Sequence, residues 1–152
     1  MKIEKMAGQI TTLGESSGGN FFEKDAITYR YIELDEERIV KRFTSSIGVN
    51  GHLRTAFESK ESVELHVATG GKILKGAVLL LAIQRKDGRI FGIEPLLNSR
   101  VFLIFLVLGL VTLPLYGLGI FFLLGAYNLW KIRSVVTELN TYVAGIPKVI
   151  LL

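Results

Sequence analysis

Residues 101–130 of the chain read VFLIFLVLGLVTLPLYGLGIFFLLGAYNLW, and none of these thirty residues is Asp, Glu, Lys, Arg or His. An uncharged apolar run longer than about 18 residues is typical of a segment that lies in a lipid bilayer. Basic residues bound the run, with Arg100 before it and Lys131 and Arg133 after it. The sequence therefore predicts a membrane segment whose ends carry interfacial cations.

The middle of the run favours a bend. A single helix of thirty residues would be about 45 Å long, whereas the hydrocarbon core of a bilayer is about 30 Å thick. Residues that lower helix propensity cluster there: Gly109, Pro114, Gly117 and Gly119. We therefore predict that residues 96–132 form a hydrophobic membrane hairpin of two short helices, at 97–113 and 118–132, bent near Pro114. A shallow re-entrant hairpin and one kinked span are the alternatives.

The residues beside the run predict its orientation. Lys and Arg are nearly balanced at its two ends and absent from its centre, so the positive-inside rule places both ends in the cytoplasm. Tyr127 and Trp130 lie where an interfacial aromatic belt is expected. The N-terminal residues contain no apolar signal-peptide core, so we expect the N-terminal domain to be cytoplasmic. The layout resembles small bacterial inner-membrane proteins with a cytoplasmic β domain, which implies a bacterial-type inner (plasma) membrane.

Residues 1–95 are predicted to form a small cytoplasmic β-barrel of the OB or SH3-like kind, with five or six strands. The sequence AVLLLAI at 77–83 indicates a fully buried central strand. Residues 86–88, Lys-Asp-Gly, favour a hairpin turn after it. A short helix is expected near 53–59.

The alternation of side chains is clearest at 63–68. It predicts that Val63, Leu65 and Val67 point into the barrel and that His66 points outward into solvent.

Residues 133–152 are predicted to form a separate amphipathic helix and an apolar C-terminal tail. The members of the apolar stripe and the tail are candidate partner contacts: Val135, Leu139, Tyr142, Ile146, Val149, Ile150, Leu151 and Leu152. One interpretation packs this helix on its own β domain or in the headgroup layer. The other makes it a contact between subunits, with the tail added as an edge strand or filling a groove of a partner.

No motif in the sequence predicts catalysis or metal binding. The chain has no cysteine, and its two histidines, His52 and His66, lie outside any metal-ligand spacing. No nucleophile elbow or phosphate-binding loop is present in the sequence. We therefore predict a protein that is not an enzyme, with no catalytic residues, no cofactor and no metal.

A weaker pattern favours single-stranded nucleic acid. Aromatic and basic residues alternate on two predicted strands: Tyr29, Arg30, Tyr31, Lys41, Arg42 and Phe43. OB-type barrels stack bases on strand aromatics within a basic groove. However, four acidic residues at 33–37 lie beside this patch, and much of the net charge of +4 belongs to the membrane flanks and tail. Nucleic-acid binding is therefore the third-ranked hypothesis.

The leading hypothesis is a membrane-anchored, non-enzymatic adaptor or assembly subunit of a larger membrane complex. Its expected partners are membrane lipid and either copies of itself or other membrane proteins. The alternative hypothesis is an oligomer that alters membrane permeability or blocks entry. No pair of small residues at a spacing of four occurs within 101–130, so the sequence offers no obvious close-approach face for such an oligomer.

Overall fold

The computed structural model describes residues 1–21, 24–70, 74, 76–94, 99–112 and 118–152. The chain divides into two compact units. The barrel unit contains Met1–Glu94 together with Thr141–Leu152, and the helical unit contains Pro95–Asn140. The helical unit is therefore an insertion, because the chain leaves the barrel unit before it and rejoins the same unit after it.

The described residues form eight strands and three long helices. The barrel unit begins with β1 (Lys2–Leu13), β2 (Ser16–Phe21), β3 (Lys24–Leu34), β4 (Arg38–Ser46) and α1 (Ile47–Glu58). It continues with β5 (Ser62–Thr69), β6 (Val78–Gln84) and β7 (Ile90–Gly92), and ends with β8 (Val149–Leu151). The other two helices are α2 (Ser99–Thr112) and α3 (Leu118–Ala144).

Five of the strands close into a ring. β1 pairs antiparallel with both β3 and β5, β3 with β4, and β5 with β6. The parallel pairing of β4 with β6, at Phe43↔Val78 and Thr44↔Leu79, completes the ring. The predicted β-barrel is therefore confirmed. The ring has five strands, within the predicted five or six, and β2, β7 and β8 extend the sheet beyond it.

The interior of the barrel is filled by apolar side chains from each strand of the ring and from α1. Buried examples are Ile10, Ile32, Phe43, Leu53, Leu65 and Leu81. α1 begins after Ser46, whose hydroxyl accepts a hydrogen bond from the backbone N–H of Val49 (3.4 Å). This is the usual way in which a serine caps the unpaired amides of a helix N-terminus. The predicted short helix is confirmed, and it begins six residues earlier than expected.

Strand β6 is buried on both of its faces. One face belongs to the barrel core, and on the other Ala82 forms an apolar cluster with Ile90 of β7 and Ile146 of the C-terminal segment. Tyr142 and Val149 pack against this cluster, and β8 pairs parallel with β7. The predicted fully buried strand is confirmed, because every residue from 79 to 83 is buried.

The predicted transmembrane hairpin is wrong. α2 has 14 residues, about 21 Å at 1.5 Å per residue, which is shorter than a hydrocarbon core of about 30 Å. α3 has 27 residues, but Lys131, Arg133 and Glu138 interrupt its apolar sequence. No helix formed by the described residues is both long and apolar enough to cross a membrane. The hairpin was predicted from two apolar helices at 97–113 and 118–132, but the first has only 14 residues and the second continues past 132 through charged residues.

The separate C-terminal amphipathic helix is also a wrong prediction. α3 continues through residue 132, where a helix end was predicted, and reaches Ala144. No Gly or Pro occurs between 131 and 144 to stop it. The helix ends just before Gly145 and Pro147, where the sequence places its stop signals.

Gly51 offers a test of how α1 is stabilised. A Cβ built on this residue meets nothing within 4 Å, and the residue lies inside the helix. Because Gly in a helix interior costs about 1 kcal/mol relative to Ala, we expect Gly51→Ala to raise the free energy of unfolding by about 1 kcal/mol. Urea unfolding followed by far-UV circular dichroism measures the change.

Gly8→Ala is the matched counterpart. A Cβ at Gly8 would lie 2.9 Å from Cγ of Asp35, whose carboxylate accepts a hydrogen bond from the Gln9 N–H (2.7 Å). The same substitution should therefore lower the free energy of unfolding here, by about 1–3 kcal/mol, because of overpacking. A gain at Gly8, or no gain at Gly51, would contradict these two environments.

Candidate functional site

The helical unit exposes a large apolar surface. The exposed side chains of α2 and α3 are Leu103, Ile104, Val107, Leu108, Leu110, Val111, Ile120, Phe121, Leu124, Tyr127 and Trp130. Their exposed fractions lie between 41% and 74%, the highest being that of Phe121. Contiguous exposed apolar patches on proteins usually mark a surface that contacts another protein or a membrane. This surface is therefore the first candidate functional site.

The two helices contact each other through glycines. Phe105 of α2 packs against Gly125 of α3, where an added Cβ would lie 2.8 Å from the ring. Leu123 of α3 approaches Gly109 of α2 equally closely, and the rings of Phe105 and Phe122 are 6.1 Å apart. One glycine on each helix thus provides the close approach for which the sequence showed no paired motif.

The residues of the predicted bend have different outcomes. Gly109 and Gly119 are buried helical residues of α2 and α3. Pro114 and Gly117 lie outside the described residues, so the bend itself is a prediction that the structure does not describe.

The polar end of the apolar surface carries the predicted interfacial residues. The rings of Tyr127 and Trp130 are 6.2 Å apart, and both side chains are exposed. The guanidinium carbon of Arg133 lies 5.6 Å from the ring centroid of Phe102. This cation–π contact positions a charge beside the last apolar residues of α3. The side chains of Arg100 and Lys131 lie outside the described part of the chain.

The C-terminal segment that was predicted to contact partners divides into three groups. In α3, Val135 is half-buried and Leu139 is fully buried. Tyr142, Ile146 and Val149 cover the outer face of the barrel unit. The exposed group is Ile150, Leu151 and Leu152, although the Leu152 backbone also lies against Gly48 of α1.

His66 is the centre of a polar network that the sequence did not reveal. The prediction that it is solvated is wrong: its side chain is 3% exposed. Its Nδ1 is hydrogen-bonded to the Tyr142 hydroxyl (2.9 Å), and its Nε2 lies 3.1 Å from Oε1 of Glu64. The same carboxylate oxygen accepts a hydrogen bond from Nζ of Lys5 (2.8 Å). The network thus connects β1 and β5 to the last residues of α3.

A cavity of about 510 Å³ lies beside this network and is lined by Lys5, His66, Gln84, Ile90, Tyr142 and Ile146, among others. Burial lowers the pKa of His66, and the ammonium group of Lys5 lowers that pKa further, while Glu64 opposes both effects. The hydrogen bond from Lys5 lowers the pKa of Glu64. A neutral imidazole is therefore favoured between two charged residues. The signal that could have revealed this site is the helical spacing of Tyr142 and Ile146, which required a surface to cover.

The residues of the candidate nucleic-acid patch do not share one surface: two lie in the barrel core and the others at the surface. Tyr29 and Phe43 are 2% and 0% exposed and lie opposite each other in β3 and β4. The Tyr29 hydroxyl donates a hydrogen bond to Oδ1 of Asn50 (2.8 Å), so this ring is fixed in the core. Neither ring face can stack on a base. The other members of the patch lie at the surface: Arg30, Lys41 and Arg42 are exposed, and Tyr31 is half-buried.

The second histidine has a packing role. The ring of His52 stacks on Phe91 with centroids 3.6 Å apart, and burial is the main cause of its lowered pKa. Among the residues that the structure describes, no three His, Cys, Asp or Glu residues are grouped closely enough to hold a metal ion.

Comparison with known proteins identifies no relative of this chain. No protein-family model matches the chain, and no curated protein and no solved structure is detectably similar to it. The functional conclusion therefore rests on the residues of this chain: the exposed apolar surface of the helical unit and the network around His66.

The buried histidines predict how stability depends on pH. The folded state disfavours the protonated imidazoles of His66 and His52, so the unfolded state binds more protons below about pH 6.5, the ordinary histidine pKa. Above that pH we expect these two histidines to contribute no pH dependence to the free energy of unfolding. As the pH is lowered toward 5, the free energy of unfolding should fall. Urea unfolding at a series of pH values measures the slope.

Variants of His52 and His66 test whether these residues cause the dependence of the free energy of unfolding on pH. His66→Gln and His52→Gln should each reduce it, and the double variant should remove it above pH 5. Glu61 and Glu64, whose pKa values are lowered from 4.5, act at lower pH. A stability that rises on acidification from pH 7 to pH 5, or a slope unchanged in the double variant, would contradict the assignment.

Proposed function

We propose that this protein is a non-enzymatic adaptor attached to a membrane surface. The helical unit inserts its exposed apolar side chains among lipid acyl chains, and the barrel unit binds protein partners of a larger membrane complex. The observation that supports this most strongly is the uncharged surface of α2 and α3, on which Phe121 and Val111 are 74% and 67% exposed. Water is an unfavourable neighbour for a surface of this composition.

The size of the apolar surface is sufficient for attachment. Fully burying one large apolar side chain contributes about 1.5–3 kcal/mol relative to exposure in water. Eleven side chains of α2 and α3 are at least two-fifths exposed. Even a few of them entering lipid would outweigh the free energy lost on confining the protein to a surface.

The lengths of the helices favour partial insertion. Each helix has an uncharged part about 20 Å long, which is less than the thickness of the hydrocarbon core. These parts are residues 99–112, apart from Arg100, and residues 118–130. Tyr127, Trp130 and Arg133 then lie at the lipid–water interface, where such residues are favoured. We propose the inner, or plasma, membrane of a bacterial-type cell as the location, with the barrel unit on the cytoplasmic side.

The barrel unit provides the contact surface for proteins. A five-stranded ring with a helix between β4 and β5 supports an OB-like description of this unit. β8 lies at an end of the strand order and exposes Ile150 and Leu151, both at 46%. Edge strands with apolar side chains readily accept a further strand. We propose that a second copy of the chain pairs here, because the uncharged sequence Val-Ile-Leu is self-complementary across a twofold axis.

Membrane attachment is tested by flotation with phosphatidylcholine vesicles. Wild-type protein should float with the vesicles. Phe121→Lys should weaken its partition by about a hundredfold, since a Lys in the hydrocarbon region costs about 2.5–3.5 kcal/mol.

Ile39→Lys is the matched control, because Ile39 is an apolar residue of the barrel unit that is also mostly exposed, at 58%. It should float like the wild type. Wild-type protein that stays with the soluble fraction, or equal losses in the two variants, would refute attachment through the helical unit. Dye release from the same vesicles tests the alternative of a permeability-altering oligomer, which stays a prediction.

Self-association is tested by the mass of the detergent-extracted assembly. The wild type should contain more than one chain, and Leu151→Asp should reduce it to a single chain, because a carboxylate would be desolvated at the paired edge. Ile39→Asp, which introduces the same group on β4, should leave the assembly unchanged. A single chain in the wild type, or an unchanged assembly in Leu151→Asp, would exclude β8 as the contact.

A further inference from the structure

A concave site lies on α3 immediately after the uncharged run. It has a volume of about 750 Å³ and is lined by Trp130, Arg133, Ser134 and Thr137. Spacings of three and four residues place these side chains on one face of the helix. From Trp130 to Thr137 the helix rises about 10 Å. The site therefore begins where the apolar surface ends and extends along the polar part of α3.

The polar side chains that line this site are hydrogen-bond donors. They supply the indole N–H of Trp130, the guanidinium of Arg133 and the hydroxyl of Thr137. The stacking of Arg133 on the ring of Phe102 positions its planar group. Glu138, the acidic residue of α3, is not among the described residues that line the site. Several donors around one fixed guanidinium favour an anion, and a phosphate accepts two parallel hydrogen bonds from such a group.

We infer that this site binds the phosphodiester of an anionic phospholipid headgroup. The inference rests on the proposed attachment, because insertion of the apolar part of α3 would bring lipid phosphates to the level of Arg133. A lipid is favoured over free phosphate because Trp130, which borders the site, is 59% exposed and belongs to the apolar surface. The ring would lie at the acyl boundary while the guanidinium meets the phosphate.

The test compares the partition of the full chain onto two kinds of vesicle, one of pure phosphatidylcholine and one of equal parts phosphatidylcholine and phosphatidylglycerol. The wild type should prefer the anionic vesicles. Arg133→Gln should weaken binding to the anionic vesicles by about fivefold or more, the effect of one basic residue at an anionic surface. Thr137→Val should weaken it about tenfold or more through the lost hydrogen bond to a charged group, without any change in net charge.

Arg89→Gln is the matched control for charge. Arg89 is an exposed residue of the barrel unit, and its replacement removes the same single positive charge. It should keep the full preference for anionic vesicles. Binding to pure phosphatidylcholine should change much less in all variants, because the choline ammonium already balances the charge of its phosphodiester; this shows that folding and insertion are intact.

Several outcomes would overturn the inference. An equal loss in Arg89→Gln would indicate diffuse electrostatic attraction, and full binding by Arg133→Gln or Thr137→Val would remove the site. A wild type that binds both kinds of vesicle equally would overturn the headgroup site but leave the proposed attachment standing. Absence of binding to either kind would overturn both. Calorimetric binding of inorganic phosphate at Arg133 without any vesicle preference would identify free phosphate instead of lipid.

Discussion

Both faces of β6 must be covered by apolar side chains, and this requirement explains why the C-terminal segment packs against the barrel formed by the first 94 residues. The inner face of β6 is buried in the barrel, but Ala82 on its outer face requires apolar neighbours that the first 94 residues do not fully supply. Ile146 and Val149 provide them after the chain has passed through the whole helical unit. Both ends of the helical unit are therefore joined to the same barrel unit.

Polar contacts make this cover specific. Apolar packing alone would tolerate several placements of a helix end against a sheet, since it has little directionality. The hydrogen bond between His66 and Tyr142 fixes one of them, and β8 adds backbone pairing at Ile90↔Val149 and its neighbours. A neutral, buried histidine is an effective partner for a phenol because it needs no counter-charge. The share of the acid-sensitive stability that belongs to His66 is therefore located at the contact between the barrel and the C-terminal segment.

α3 changes its chemical character along its length. Its first turns are uncharged and exposed, the turn around Tyr127 and Trp130 is aromatic, and the next contains Arg133 with the hydroxyls of Ser134 and Thr137. This order, apolar then aromatic then cationic, is the order of environments that a helix meets on leaving a bilayer. The proposed attachment, the proposed headgroup site and the cover of the barrel would then be successive parts of one helix.

The sequence by itself determined the features that depend on neighbours in the chain. The alternation in β5, the turn at 86–88, the helix near 53 and the uncharged run all follow from local pattern, and the structure contains each of them. It did not determine which outward residues are covered. His66 was misjudged because alternation gives two faces to a strand but cannot tell whether a distant segment buries the second one.

Only the tertiary structure decided the remaining features. The parallel pairing of β4 with β6 and the return of β8 to β7 join residues far apart in sequence. Such contacts depend on the fold of the whole chain, because the local sequence around a residue does not indicate a partner 35 positions away, as for Phe43 and Val78, or 59 positions away, as for Ile90 and Val149. The uncharged run therefore determined that a large apolar surface exists, and the fold decided which of its side chains are exposed.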